Sequence, residues 1–225
     1  MPILLEEQLN YPLPQMHRVR QSFSRPRLED IEAHIKQEIT KKEISEKIKP
    51  GAKVAVAVGS RGIKNLAKIV KEVIGQIKEL GGEPFIISAM GSHGGGTPEG
   101  QREVLASYGI TEENIGVGIV TSVDVVRLGR TSGGIDVYFD SAALGADLIV
   151  PINRVKLHTD FVGDIQSGVC KMLVIGLGNH VGCTAVHEAD FDNFADILIE
   201  AAGMIMKHAS VGFGVAILEN AYDET

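Results

Sequence analysis

The feature that most constrains this chain is a regular alternation of short apolar runs with amphipathic stretches of helical period. "KVAVAVGS" (53–60) is an apolar run of strand length that stops at Gly59-Ser60. In "NLAKIVKEVIGQIKEL", which follows, Leu66, Ile69, Val70, Val73, Ile74, Ile77 and Leu80 form one stripe at helical spacing. Gly81-Gly82 supplies a stop, and "PFIISAM" (84–90) is the next strand. A crossover this long predicts parallel pairing. Thr97 reads as an N-cap, with Pro98 opening a helix through Tyr108. "NIGVGIV", "DVVRLGRT" and "IDVYFD" are strand candidates, "ADLIVPINRVK" (146–156) is a strongly apolar strand, "FDNFADILIEAAGMIMKHA" is a helix and "VGFGVAILENA" a last strand. The pattern predicts an α/β fold: a mostly parallel sheet flanked by helices in a Rossmann-like layered architecture.

Ahead of this unit, "RLEDIEAHIKQEI" (27–39) carries Leu28, Ile31, Ile35 and Ile39 at helical spacing. Residues 1–50 are therefore expected to form a helical and extended segment packed on an α/β domain spanning 51–225. The sequence stops at "AILENAYDET", just after a strand, which raises the expectation of a second, C-terminal domain missing from this chain. Net charge is −7, with lysines spread along helical faces, which argues against a nucleic-acid partner. No apolar window reaches the roughly 18 residues a membrane helix needs. Only two cysteines, Cys170 and Cys183, are present, and "MPILLEEQLN" is not a signal peptide, so the expected setting is a reduced cytoplasm.

In open α/β sheets, ligands bind beyond the carboxyl ends of the strands. The first strand is followed by "GSRGIKN" with Arg61, the second by "GSHGGG" with His93, and the strand at 146–156 by "LHTDFVGDIQSGVCK" with His158 and Lys171. Glycines let backbone N–H groups approach an anion, and an exposed histidine near neutral pKa suits proton transfer. The glycine run is neither a P-loop nor a dinucleotide fingerprint. His158, His180 and His187 lie close in sequence to the cysteines but in no standard zinc spacing. Lys171, in an apolar and glycine-rich segment, is either snorkelling to solvent or a desolvated amine. Asp190, Asp192 and Asp196 read as dipole partners at a helix start.

At "MGSHGGGTPEGQREVLASYG" and "INRVKLHTDFVGDIQSGVCKMLVIGLGNHVGCTAVH" the chain resembles the nickel-pincer-nucleotide-dependent lactate racemase family, in particular the N-terminal domain of a less characterised isomerase branch. The family's Gly-Thr-His-Arg-Pro reads here Gly91-Ser92-His93-Gly94-Gly95, and its Ser-Gly-Gly-Arg-Lys reads "SGVCK". The resemblance implies His93 and His158 as acid/bases, Arg61 on the substrate oxygens, Lys171 as the covalent anchor of the cofactor, and Gly59, Ser60 and Gly168 against its phosphate. It also implies a nickel-ligating histidine 16 residues beyond the lysine, which is His187, with His180 as rival. The expected activity is racemisation or epimerisation of a small hydroxy-carboxylate by hydride transfer, in a monomer or a homo-oligomer. Loss of the family arginines puts lactate itself in question as the substrate. Two other readings stand beside it: a non-catalytic domain binding an anionic metabolite or nucleotide, and a zinc-dependent hydrolase built on His93, His158 and His187.

Overall fold

The apolar runs do form a parallel sheet. The computed structural model describes residues 14–189 and 193–225. Its strands are β1 (Lys53–Val58), β2 (Glu83–Ser88), β3 (Ile119–Val120), β4 (Val125–Arg130), β5 (Asp136–Asp140), β6 (Leu148–Arg154) and β7 (Val215–Ile217). Its longer helices are α1 (Ile31–Ile39), α2 (Leu66–Glu79), α3 (Pro98–Ser107), α4 (Asn179–His187) and α5 (Phe194–His208). The main sheet runs β3-β2-β1-β6-β7, with every pair parallel. The chain thus winds outward from β1 in one direction, then reverses to β6. That reversal is a topological switch point, where a crevice opens beyond the strand ends. In β1, Val58 pairs with Ser88 on one side and Ile152 on the other, so three loops leave the sheet at one level.

Strand alternation divides the core into two layers. Val54, Val56, Val58, Ile86, Val150 and Ile152 pack with Ile35, Ile69 and Leu105, from α1, α2 and α3. Ala55, Ala57, Ile87 and Ile149 face the other way, onto Leu173, Val174, Leu198 and Ala201. The small residues on this second face let the backbone of the Met172–Gly176 π-turn come down onto the strand ends: Gly91 N–H donates to the Gly176 carbonyl at 3.0 Å. A Cβ on Gly176 would lie 2.8 Å from the Ala89 carbonyl oxygen. Because the obstacle is backbone, Gly176→Ala is expected to destabilise the fold by about 1–3 kcal/mol, read in a denaturant melt.

Elsewhere the expectations need correction. "DVVRLGRT" and "IDVYFD" are strands as expected, but they lie outside the main sheet: β4 and β5 pair antiparallel as a separate hairpin, joined directly by a tight turn at Ser132-Gly133-Gly134. Within "NIGVGIV" only Ile119–Val120 is strand; Thr111 caps Asn114 N–H and draws Glu112–Ile115 into a helical turn. The last strand shrinks to Val215–Ile217. In the N-terminal segment, helix begins at Ile31, where Asp30 accepts from Ala33 N–H at 2.9 Å. Leu28 stays extended, its N–H bonded to the Thr225 carbonyl. Nearby, Arg25 grips Glu224 through two hydrogen bonds of 2.6 and 2.7 Å. Among the described residues no single helix is long and apolar enough to cross a membrane. Asp190 and Asp192 lie outside the described residues, while Asp196 sits in the first turn of α5.

Candidate active site

The glycines around His93 are there because the backbone turns left-handed: Gly91, Gly94, Gly95 and Gly96 all have φ between 59° and 67°. The run ends at Thr97, which caps α3 by accepting from Gly100 N–H at 3.1 Å. His93, held in this loop, has a polar partner after all: its Nδ1 shares a hydrogen bond with Ser60 Oγ. The Ser60 carbonyl in turn accepts from Tyr108 Oη at 2.6 Å. Ser60 therefore holds the histidine ring. Burial, and after it the Arg61 charge, push His93 below the ordinary value of 6.5, so the ring is more firmly neutral than the sequence suggested.

From the far side of the switch point comes the loop after β6. His158 Nδ1 accepts from Asp160 N–H at 3.2 Å, so the neutral ring carries its proton on Nε2. Burial again lowers its pKa, with Lys171 the next contributor and His187 also acting. A wall of rings continues from it: His158 stacks on Phe161 at 4.3 Å, Phe161 on Phe194 at 4.9 Å, and Phe194 on His187 at 5.3 Å. Lys171 Nζ lies 6.0 Å from the Phe161 ring centre. Desolvation lowers its pKa first, then the charges of Arg61 and Lys156. These mutual perturbations mean that Arg61 faces both His93 and Lys171, and that Lys171 faces His158. Arg61, His93 and His158 thus leave the sheet at one edge, with Lys171 near enough to Arg61 and His158 for their charges to be felt.

α4 supplies the remaining groups. It starts at Asn179, whose amide donates to buried Asp140 at 2.8 Å. One turn apart on α4, His187 Nδ1 meets the Cys183 carbonyl oxygen at 2.7 Å and the Cys183 thiol at 3.5 Å. A carbonyl only accepts, so Nδ1 carries the proton and Nε2 is left as a lone-pair donor. His180 lies elsewhere, beside the glycine loop: a Cβ on Gly96 would come within 3.3 Å of its ring. Among the described residues no three His, Cys, Asp or Glu side chains converge as a metal-binding group. His93, His158 and His187 thus fail to form the three-ligand set of a zinc hydrolase.

One further buried group faces this layer. Asn153, near the end of β6, has neither its amide nitrogen nor its oxygen hydrogen-bonded, and lies beneath Gly168, whose added Cβ would be 3.9 Å from the nitrogen. Gly59, just past β1, leaves its side-chain space to Met172, whose sulfur would lie 3.5 Å from an added Cβ.

The fold and motif geometry agree with a direct comparison: the model of the lactate racemase N-terminal domain matches residues 13–197. The chain belongs to the lactate racemase N-terminal domain family. No curated protein matches it. In architecture it is similar to the lactate racemase apoprotein from Thermoanaerobacterium thermosaccharolyticum, at a TM-score of 0.62 and 13% identity, covering 88% of this chain and 51% of that one. It therefore spans about half the length of that relative.

Within this family member, sequence reasoning found the ionisable residues at the strand ends and missed those that hold them. Tyr108, which holds Ser60, and the Cys183 carbonyl, which holds His187, lie in stretches that read as ordinary helix, and the unpartnered Asn153 lies in a strand. The only signal for Tyr108 was its place at the end of the helix that follows the glycine loop. For Cys183 it was the four-residue spacing to His187.

Proposed function

We propose that this chain is the cofactor- and substrate-binding half of a racemase or epimerase for a small hydroxy-carboxylate, served by a nickel-pincer nucleotide. What supports the reading is that the loops carrying Arg61, His93 and His158 leave one edge of the sheet, with Lys171 near enough to Arg61 and His158 for their charges to act on each other. The residues present fit such a group. Lys171 is a half-buried amine with a depressed pKa, able to attack as the neutral form. His187 is fixed by its Nδ1–H with Nε2 available, the usual arrangement of a metal-ligating histidine. The orphaned amide of Asn153, beneath Gly168, suits a polar ligand approaching the backbone there. His187 would supply an imidazole donor to a nickel(II) held otherwise by the cofactor's sulfur atoms.

Bound there, the nucleotide would supply an acceptor for the substrate's α-hydrogen as hydride. The chain's own residues do the rest. Arg61, free of any ion pair among the described residues, binds the carboxylate. One histidine takes the hydroxyl proton as the α-carbon becomes a planar keto group. The other, protonated, returns a proton to that oxygen once the α-hydrogen has come back on the opposite face. Two histidines are needed because the enantiomers present their hydroxyls from opposite sides. Exposed Leu157, Val162 and Leu218, at 78, 91 and 70%, border the rim and support a second domain closing over it. Two free thiols accord with a reducing, cytoplasmic setting.

The test is to co-express the protein with the cofactor-synthesis pathway and assay a panel of 2-hydroxy acids and sugar acids in D2O. Interconversion of enantiomers without deuterium at the α-carbon is the expected result. Deuterium uptake there would mean proton abstraction, and no turnover of any panel member would favour simple binding of an anionic metabolite.

A further inference from the structure

The loop that carries Arg61 is held at both ends. At its start, the Ser60 carbonyl accepts from Tyr108 Oη at 2.6 Å. At its end, Lys64 N–H donates to Glu219 Oε1 at 2.7 Å. The Glu219 side chain is only 1% exposed, and its other oxygen takes Arg154 Nη1 at 2.8 Å. Arg154 is the last residue of β6, so one carboxylate joins the loop after β1 to the strand across the switch point. A carboxylate this buried is costly unless all its bonds are made, and here both oxygens are engaged. Ile63 packs into the core beside this point. Between the two anchors only Arg61 and Gly62 are left to move.

We infer that Tyr108 and Glu219 are positioning residues for Arg61: they clamp the span from Ser60 to Lys64 and so fix where the guanidinium meets a substrate carboxylate. Through Ser60, Tyr108 also sets the ring of His93. Neither residue touches substrate. Glu219 lies in "AILENAYDET", the terminal stretch for which the strand pattern offered no role. The inference rests on the reading of Arg61 as a carboxylate-binding residue.

The test uses the cofactor-loaded protein with Glu219→Ala, Glu219→Gln and Tyr108→Phe. In Glu219→Ala, the Lys64 amide should lose its protection from hydrogen exchange, while nickel content and the Lys171 adduct stay at wild-type levels. KM for the hydroxy acid should rise by about tenfold or more, the scale expected when a positioning group shifts. Glu219→Gln keeps an acceptor for Lys64 N–H and should restore most of both. Tyr108→Phe should instead lower kcat more than it raises KM, because it also loosens His93. Unchanged kinetics in Glu219→Ala despite an exposed Lys64 amide would overturn the clamp and leave the proposed function standing. Loss of nickel together with activity would also overturn it, since that is the mark of general unfolding. A loaded wild type that turns over no hydroxy acid would overturn the proposed function, and the clamp with it.

Discussion

Lys171→Ala is expected to give a folded chain that holds no nickel and shows no covalent adduct by intact mass, whatever the supply of cofactor. The loss should be complete, because a covalent anchor has no partial substitute. Folding should survive. Lys171 makes no ion pair among the described residues, and removing it takes a half-buried charge out of a region where desolvation and Arg61 already disfavour it. Thermal stability of the unloaded variant should therefore equal or exceed that of the unloaded wild type. Lys171→Arg should fail to load as well, since a guanidinium stays protonated and cannot act as a nucleophile. The depressed pKa also has a kinetic sign. A larger neutral fraction at a given pH means loading proceeds at pH values where an ordinary lysine, near 10.5, would be almost wholly protonated. Nickel retained at full occupancy in Lys171→Ala would remove the anchor from this residue.

Much of the fold was legible because its signals are local. β1, α2, β2 and β6 are unbroken apolar or amphipathic runs, and the Thr97-Pro98 pair marks the start of α3 through short-range capping. The level of the strand ends follows from parallel pairing, which placed Arg61, His93 and His158 on one rim before any contact was known. What stayed hidden depends on contacts between distant segments. Ser60 and His93 meet across 33 positions and Lys64 meets Glu219 across 155, and no periodicity encodes such pairs. The hairpin of β4 and β5 was hidden for a different reason: its residues are good strand formers, and only the turn decides that they pair with each other rather than with the main sheet. The same holds for His187. Only the family resemblance marked its spacing from Lys171 as a ligand's, and the Nδ1–H that frees Nε2 is a property of the helix it lies on.

The two histidines offer the sharpest kinetic test. His93→Ala and His158→Ala should each lower kcat for racemisation by about 10²–10⁴-fold, the usual worth of a positioned acid or base. Nickel content and adduct mass should not change, since neither residue anchors the cofactor. The pH dependence follows from their surroundings. If the two histidines act as proposed, turnover needs one imidazole neutral and the other protonated, so kcat/KM should be bell-shaped. Both rings are pushed below the ordinary 6.5, chiefly by burial, then by Arg61 at His93 and by Lys171 at His158. The acid limb, where the base becomes protonated, should therefore lie below pH 6.5. The alkaline limb, where the partner loses its proton, should also shift toward acid. Capture of Lys171 in a neutral linkage, as proposed, would remove the second contributor at His158, so loading should move that ring's pKa upward, and an NMR titration of the His158 ring before and after loading reads the shift directly. A racemase whose activity survives either alanine substitution within a factor of a few would have its proton transfers elsewhere. A pH profile without a limb in the imidazole range would say the same of both residues at once.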